Sequence, residues 1–351
     1  MDGYASGLEI SQFARAGGPN VPRSLIRLSI DKRTSTTQGG WGNGHDNTHR
    51  SVTRMPSIRR ATADDAEACN EVMWSAITDF GSRRGTPLAG SATEWWASGE
   101  SLQRFLADRA AEWWVAEHDS HVVGYGRSIE REGLFELTEL FVLPLTQSKG
   151  IGRSLLERAF PNRPGRVRSI IATTDERALH RYYGAGTAPR FPILTLNGPP
   201  QRGDGGRALR ARPLGTTLAS ELPVLREIEL ATLESARGEA EIRWLLGDRE
   251  GYLYSRGDNP VGFAFVGQPG TGPIAAIEPE FLPDILLHVE DRAASLGLEQ
   301  VEFQLPGPNE VAARHLLSRG FRIDPWVNLL MSDRPFGSFD RVIGFGPPVF
   351  L

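Results

Sequence analysis

The sequence lacks several features that would place it in particular classes of protein. Its 351 residues include one cysteine, Cys69, which excludes an internal disulfide and a cysteine metal cluster. No apolar run approaches the ~18 residues of a membrane-spanning helix, and the first residues lack the continuous apolar segment of a signal peptide. The formal charge of −4 leaves no basic excess for non-specific nucleic-acid binding. We therefore expect a soluble cytoplasmic protein that binds neither a membrane nor nucleic acid.

Length and composition predict two domains behind a disordered tail. Residues 1–54 are rich in Gly, Ser, Thr, Asn and Arg, and Thr34–Arg50 shows no hydrophobic period. Such a segment cannot bury enough apolar surface to offset its ordering entropy. The rest of the chain is longer than one average domain. Because residues 197–207 have the composition of a linker, they divide the chain into domains at 55–196 and 208–351.

Hydrophobic periodicity predicts the elements that surround the later motifs. Apolar residues from Ala66 to Phe80 recur at steps of three and four, which predicts an amphipathic helix with Cys69 on its buried face. Asp119-Ser120 predicts the turn of a hairpin. The terminal segment, Ser332–Leu351, is rich in Gly, Pro and Phe, so we expect it to pack onto the fold as irregular structure or an edge strand.

The most informative stretch is Leu137–Phe160, with the sequence LTELFVLPLTQSKGIGRSLLERAF. It begins with an apolar run of strand length, continues through a polar loop, and ends with apolar residues at helical spacing. Gly150 and Gly152 would let the backbone approach a bulky anion, and the first helical turn offers N–H groups and a positive dipole end. Lys149 and Arg153 add two cations. This order of strand, loop and helix predicts a phosphate-binding cradle.

The loop of this stretch, Gln147–Gly152, matches neither of two common nucleotide-binding patterns. No Lys-Ser/Thr pair follows its second glycine, and the three-glycine dinucleotide fingerprint is absent. The loop resembles the Q/R-x-x-G-x-G/A signature of the GNAT superfamily of acyl-CoA N-acyltransferases. A strand ending in Val142-x-Pro144 precedes it, as in that family. The surrounding elements therefore support the resemblance.

A second motif of the same family follows the next predicted strand. The family has N-x-x-A-x-x-x-Y-x-x-x-G-F at this place, and Ala178, Tyr182 and Gly186 stand at that spacing. Asp175 replaces the asparagine and Thr187 replaces the phenylalanine. These departures weaken the match without changing the mechanism that it implies.

For residues 56–196 the resemblance implies a mixed α/β fold, with a mostly antiparallel central sheet flanked by helices. It also implies acetyl-CoA as co-substrate and direct transfer to a primary amine in a ternary complex. The backbone at Phe141, Val142 and Leu143 would pair with the pantetheine arm and stabilise the oxyanion. The residues expected to hold the CoA pyrophosphate are Gln147, Ser148, Lys149, Gly150, Ile151, Gly152 and Arg153.

Acyl transfer also requires that the attacking amine lose a proton and that the departing thiolate gain one. Glu136 and Glu139 flank the start of the central strand, and their spacing of three predicts side chains on opposite faces. The resemblance allows either one as the base. We favour Glu139 because it lies closer to the V-x-P segment, and we keep Glu136 as the alternative. Tyr182 is the expected acid, with Tyr183 and His180 as substitutes if the helix is rotated.

The acceptor is the part of the reaction about which the sequence says least. Residues 81–99 are expected to form a loop at the place where this family builds its acceptor pocket, and that loop contains Trp95 and Trp96. Two indoles could hold an apolar or cationic amine, although core packing would explain them equally. A small-molecule amine and a peptide amine both remain open as acceptors.

The second half of the chain repeats the first without its cradle. Val261-Gly262-Phe263 repeats Val123-Gly124-Tyr125 138 positions later. At a closely similar offset of 134, Asp284 and Leu286 take the places of the two cradle glycines, and Leu316 takes that of the predicted acid. A carboxylate and branched side chains there would repel phosphates and block the backbone. We therefore expect a degenerate GNAT-like domain that serves as a structural partner or as one wall of the acceptor site.

Other functions remain compatible with these patterns. A non-catalytic acyl-CoA-binding or interaction module would bind CoA without turnover, and an α/β protein with an unrelated ligand would tolerate Gly150→Asp. The two copies of the fold could pack within one chain or pair across a homodimer.

Overall fold

A computed structural model of the chain describes residues 56–146, 150–203, 208–215, 218–267 and 270–346. The predicted tail at 1–54 lies outside these ranges. So do three of the expected pyrophosphate-binding residues, Gln147, Ser148 and Lys149.

The first half of the chain alternates strands and helices in the order that the sequence predicts. Its strands are β1 Ser57–Arg60, β2 Ala110–His118, β3 His121–Arg131, β4 Leu134–Val142, β5 Val167–Ala172 and β6 Ala188–Gly198. Its helices are α1 Ala66–Arg83, α2 Ala92–Arg109, α3 Ile151–Ala159 and α4 Glu176–Gly184. The predicted hairpin and the predicted helix around Cys69 are confirmed as β2–β3 and α1.

The predicted loop at 81–99 is wrong in its second part, because α2 already begins at Ala92. Ser91 is the N-cap, and its hydroxyl accepts a hydrogen bond from the amide of Glu94 at 3.2 Å. Such a cap satisfies one of the unpaired N–H groups of the first helical turn. Trp95 and Trp96 therefore stand on a helix.

The second half of the chain follows a similar order. Its strands are β7 Arg210–Pro213, β8 Arg249–Arg256, β9 Asn259–Gly267, β10 Ile274–Ala276, β11 Val301–Pro306, β12 Arg322–Ser332 and β13 Val342–Ile343. Its helices are α5 Leu218–Leu233, α6 Glu239–Asp248, α7 Leu282–Ser295 and α8 Glu310–Ser318. Within its described part, the terminal segment forms irregular structure and the edge strand β13, as predicted.

The two halves exchange their last long strands. One sheet has the order β1-β2-β3-β4-β5-β12-β6-β11, and the other has the order β13-β10-β9-β8-β7. Strand β12 of the second half thus lies between β5 and β6, and β6 of the first half pairs with β11. Among the described strands of both sheets, every pairing is antiparallel except that of β4 with β5. Strands from both sides of the predicted linker are therefore hydrogen-bonded in one sheet. The domain limits remain a prediction.

Helices cover both faces of the first-half sheet. Cys69 on α1 is fully buried against Trp113 and Tyr125 of the sheet, and burial raises the pKa of its thiol to about 12. The expectation that Cys69 lies on the buried face of its helix is confirmed. On the other face, a Cβ at Gly126 would lie 2.8 Å from the Cβ of Ala159 on α3, so only glycine permits this close contact. Within the described residues, no helix is both long and apolar enough to span a membrane.

Candidate active site

A cleft opens where the two parallel strands of the first half separate. Strands β4 and β5 pair from Leu134 and Val167 as far as Leu137 and Ile170, and no further. Beyond that point lies a narrow cleft of about 140 Å³, whose walls come from α1, the end of β4, β5, the first turn of α3, and α4. The central stretch of the sequence therefore lies along one wall of this cleft.

The first turn of α3 has the geometry of an anion site. Gly150 is the N-cap of the helix and has a φ of 79°, a conformation that favours glycine. Gly152 lines the cleft, and a Cβ there would lie 3.3 Å from the Nε of Arg181. Ile151 is buried beneath the turn, whereas the largely exposed Arg153 pairs with Glu157 at 2.8 Å. The helix N-terminus thus faces the cleft at Gly152.

Two further cations at this place come from α4, and the sequence analysis did not identify them. Arg177 and Arg181 both line the cleft, and the Nη1 of Arg181 donates to the carbonyl of Arg177 at 2.9 Å. They also line a groove of about 970 Å³ between α3 and α4, together with Arg153 and Arg168. Their spacing of four, which puts both on one helix face, was the available signal.

The structure distinguishes the three candidates for the acid on α4. Tyr182 is buried and lines the cleft, and burial raises the pKa of its phenol well above the ordinary value. Tyr183 is 57% exposed, and His180 lines the outer groove instead. Ala178, one turn before Tyr182, also lines the cleft. The helix is therefore not rotated from its predicted orientation, and the role of Tyr182 stays a prediction.

The cap of α4 shows why the replacement of the family asparagine is tolerated. The Asp175 carboxylate accepts from the amide of Arg177 at 2.9 Å, so it caps the helix as asparagine would. It also accepts from Arg83 of α1 at 3.0 Å. Burial alone would raise the pKa of Asp175, but hydrogen bonds from the guanidinium and the amide of Arg177 and from Arg83 outweigh it and hold the pKa well below its usual range.

A β-bulge at Thr138 corrects the predicted orientation of the two glutamates. In the register of β3 with β4, Glu139 lies opposite Arg127 and Glu136 lies opposite Ile129, with one extra residue on β4 between them. Arg127 and Ile129 are two apart on β3 and so share a face. The bulge therefore places both glutamates on the face covered by α1 and α2, and the prediction of opposite faces is wrong.

The carboxylate of Glu139 is fully engaged by neighbouring side chains. Its Oε2 accepts from the Nε of Arg127 at 2.6 Å, and Arg127 also forms a second, very short contact with it. Its Oε1 accepts from Tyr125 and from Gln103, both at 3.0 Å. The pair of Glu139 and Arg127 is almost wholly buried. These neighbours supply donors to both carboxylate oxygens, and the role of Glu139 as base stays a prediction.

Glu136 belongs to a charged network between the halves. Its carboxylate lies 3.6 Å from Arg131, whose Nε donates to Glu241 of α6 at 2.8 Å. Burial alone would raise the pKa of Glu241, but attraction to Arg131 and Arg237 outweighs it and lowers that pKa. Of the two predicted bases, only Glu139 is among the residues that line the cleft.

The predicted oxyanion donors do not all face the cleft. The amide of Leu143 donates to the carbonyl of Val123 at 2.9 Å, so it belongs to the pairing of β4 with β3. Phe141 and Val142 line the cleft. Successive amides of a strand alternate between its two edges, so the amide of Val142 is directed away from β3. The expectation for Leu143 as an oxyanion donor is therefore corrected.

The two tryptophans on α2 pack against the core. Trp95 meets Trp74 edge-to-face with ring centroids 4.8 Å apart, and Arg104 lies over the ring of Trp96. Both indoles pack beside the buried cluster that contains Cys69. The structure thus favours core packing, the second of the two alternatives left open for this pair.

In the second half, the position of the cleft is filled by the chain itself. Strand β13 pairs with β10 through Ile274 and Ile343, and the amide of Gly344 donates to the carbonyl of Gln304 on β11 at 2.9 Å. Asn309, the N-cap of α8, donates from its side chain to the carbonyl of Val342 at 2.9 Å. Strand β13 therefore lies between β10 and β11, where the first half has its cleft.

The helix that follows β10 also differs from its first-half counterpart. Helix α7 begins at Leu282 directly after a short 3-10 turn, with Phe281 as its N-cap. Leu282, Ile285 and Leu286 are completely buried. No glycine turn comparable to the one at Gly150 precedes this helix. The predicted loss of the cradle is thus accompanied by apolar packing at the same place.

Comparisons with known proteins agree with this architecture. Residues 109–185 match the family model described as "Acetyltransferase (GNAT) domain". A candidate acetyltransferase from Pyrococcus horikoshii has a TM-score of 0.64 at 18% identity, over 88% of this chain and 100% of its own. A GCN5-related N-acetyltransferase from Sphaerobacter thermophilus has a TM-score of 0.56 at 14% identity, over 82% of this chain and 98% of its own.

A third solved structure resembles the chain in its two-part organisation. It is a tandem GNAT protein from the clavulanic acid biosynthesis pathway, with a TM-score of 0.50 at 16% identity, over 80% of this chain and 99% of its own. No curated protein gives a significant sequence match. The resemblance to the GNAT superfamily is confirmed by the domain match and by the fold, which is the tandem GNAT fold.

Proposed function

We propose that the first half of the chain is an N-acetyltransferase. It would move an acetyl group from acetyl-CoA to a primary amine by direct attack, with no covalent enzyme intermediate. The observation that carries this proposal is the cleft between β4 and β5, which ends at the glycine turn of α3 and at two arginines of α4. Backbone N–H groups at a helix N-terminus and nearby guanidinium groups are suited to a pyrophosphate.

We propose that an extended pantetheine arm binds along the cleft. In the second half, the space between β10 and β11 accommodates β13, which pairs with β10, and the next residue, Gly344, bonds to β11. By analogy, the equivalent space in the first half would take a strand-like ligand. The edge of β4 that faces the cleft would bond to that ligand as β10 bonds to β13. Acetyl-CoA supplies the activated acetyl group when it is bound there.

The proton balance of the reaction involves the amine, water and Tyr182. The amine nitrogen attacks the thioester carbonyl carbon, the C–N bond forms, and the C–S bond breaks. Because Glu139 is engaged by Arg127, Tyr125 and Gln103, we propose that the amine proton passes to water and that Glu139 holds the cleft wall rigid. Tyr182 donates its proton to the leaving thiolate, whose pKa is about 8.5 if it behaves like cysteine, and then takes a proton back from water, which has received the one from the amine.

The first test replaces the proposed acid. Tyr182→Phe should lower kcat by about 10²-fold or more, because the thiolate then leaves without a donor. The dissociation constant of acetyl-CoA should stay within about twofold, since the phenol adds little to cofactor binding. The rates are measured by release of the CoA thiol in the presence of a panel of primary amines, and binding is measured by calorimetry.

Tyr183→Phe is the matched control, because Tyr183 neighbours Tyr182 and points into solvent. Burial raises the pKa of Tyr182, so the acid stays protonated beyond pH ~10, where an ordinary tyrosine titrates. The wild-type rate should therefore rise with pH as the amine deprotonates, without a fall below pH ~10. Equal rates for both variants would remove Tyr182 from the mechanism. Acetyl-CoA binding without thiol release for any amine would favour a non-catalytic acyl-CoA-binding module.

A further inference from the structure

A second pocket adjoins the cleft of the first half, and the second half builds one of its walls. The pocket encloses about 370 Å³. Phe80 of α1 lines both the cleft and this pocket. Of the two residues after β5, Thr173 lines the cleft and Thr174 lines the pocket. The opposite wall is residues 324–327 of β12, the strand exchanged from the second half. A molecule in this pocket would thus lie next to the cleft.

The wall from β12 exists because the strand bulges at this point. Ile323 lies opposite Leu196 and Val327 lies opposite Leu194, so 324–326 face Thr195 alone. The extra residues leave the plane of the sheet toward the pocket. Neither half by itself contains both walls.

Hydrogen bonds and ring packing fix the bulge in place. The Asp324 carboxylate accepts from the amide of Trp326 at 2.7 Å, and the indole N–H of Trp326 donates to Asn328 at 3.2 Å. The Trp326 ring meets Phe80 edge-to-face with centroids 5.2 Å apart. The aromatic wall is therefore ordered before any ligand arrives, which lowers the entropic cost of binding.

The chemistry of the pocket is apolar with one charged group of each sign. Phe80, Leu88, Pro325, Trp326 and Val327 contribute the apolar surface. The Arg84 guanidinium donates to the carbonyl of Thr174 at 2.8 Å and lies over Phe80 at 4.9 Å, so it serves as part of the wall. The charge of Arg84 is exposed and screened by solvent, whereas Asp324 is half-buried, so the carboxylate acts more strongly on a bound ligand and favours cations over carboxylates.

We propose that this pocket binds the body of the acceptor, and that the acceptor is a small primary amine with an aromatic or branched apolar body and no carboxylate. This inference rests on the proposed transferase function. The volume is at the lower end of the range for small-molecule sites, which suits a compact ligand. Trp326 and Asp324, both from the second half, set the specificity of a reaction carried out in the first.

The test compares three amines with saturating acetyl-CoA: 2-phenylethylamine, ethanolamine and phenylalanine. For the wild type, kcat/KM should be at least about tenfold higher with 2-phenylethylamine than with either of the others. Trp326→Ala should lower that value about tenfold, chiefly through KM, whereas Trp326→Phe should retain most of it. Asp324→Asn should narrow the discrimination against phenylalanine. Ile323→Ala is the control, because Ile323 is on the same strand and 49% exposed.

Two binding measurements separate failure of this proposal from failure of the transferase function. The Kd of acetyl-CoA should be the same in wild type and Trp326→Ala, and 2-phenylethylamine should bind wild type more tightly than Trp326→Ala even without turnover. Amine binding without any turnover would keep the pocket and remove the transferase. An unchanged KM in Trp326→Ala, equal use of the three amines, or no binding of 2-phenylethylamine would overturn the pocket assignment.

Discussion

The two halves of this chain differ most at one equivalent position, the space beside the fourth strand of each. In the register with the preceding strand, Gly124 pairs with Val142 in the first half, and Gly262 pairs with Ala276 in the second. Since Gly124 and Gly262 are repeat equivalents, the short β10 corresponds to the part of β4 that lines the cleft. The edge of β4 faces the cleft, whereas the edge of β10 is covered by β13.

This difference shows two ways to satisfy the backbone of a strand edge. Buried N–H and C=O groups need partners, and the second half provides them from its own terminal segment, including the amide of Ala276 to the carbonyl of Arg341 at 3.0 Å. We infer that the first half leaves the role to acetyl-CoA. A repeat can thus lose its ligand without losing its fold, provided that the chain supplies the missing strand.

The helices after these strands differ in the same sense. Gly150 stands in the left-handed region at the start of α3, where its backbone can face a phosphate. At the start of α7, Leu282 and Leu286 are completely buried in the core of the second half. Two separate changes, one in the cleft and one in the turn, therefore distinguish the halves.

The largest expected effect comes from separating the halves. A fragment of residues 56–203 loses β12 and β11, which are the neighbours of β6 and of the outer edge of β5. It should fail to fold cooperatively, because β6 then has no partner strand and the edge of β5 that pairs with β12 is left open. Circular dichroism and thermal unfolding of the fragment check this.

Co-expression of the fragment with residues 204–351 is the control and should restore a folded complex. Cooperative unfolding of the fragment alone would show that the first half folds without β11 and β12. That result would contradict the dependence of the first half on the second.

A smaller effect is expected from displacing the strand that fills the second half. Ile343→Asp places a charge at a side chain that is 1% exposed, so the protein should lose about 3 kcal/mol of stability. Leu317→Asp, at a residue 46% exposed, should change stability by no more than about 0.5 kcal/mol. Denaturant unfolding measures both.

Acetyl-CoA titration of the same variant sharpens the comparison. Because α7 lacks the glycine turn, opening the space beside β10 should not create a second site. A second binding event in Ile343→Asp would show that β13 alone had closed the second half.

The sequence predicted the elements that depend on local patterns. The period of α1, the hairpin turn at Asp119-Ser120 and the glycine cap at Gly150 before α3 are all encoded by neighbouring residues, and each is present. The missing cradle of the second half was equally visible, because FLPDIL contains no glycine. Local signals of this kind specify the type of element and its order.

Features that depend on partners were not predictable in this way. The bulge at Thr138 is defined by the register with β3, and it reversed the expectation for Glu136 and Glu139. The exchange of β6 and β12 leaves each strand with the same local pattern, whichever half it joins. The final position of β13 likewise depends on the space beside β10. These are non-local pairings, and periodicity carries no information about them.

The central claim is that the chain holds one acetyl-CoA site, in its first half. Calorimetric titration of acetyl-CoA into the full chain tests it most directly, with Gly150→Asp and Gly150→Asn as a matched pair. Aspartate and asparagine have similar shapes and place the same strain on a positive φ, but only aspartate adds charge. Gly150→Asp should therefore raise the Kd of acetyl-CoA at least about tenfold more than Gly150→Asn does, which corresponds to about 1.4 kcal/mol. We predict one site per chain with this difference. Two sites, or no effect of the added charge, would contradict the account.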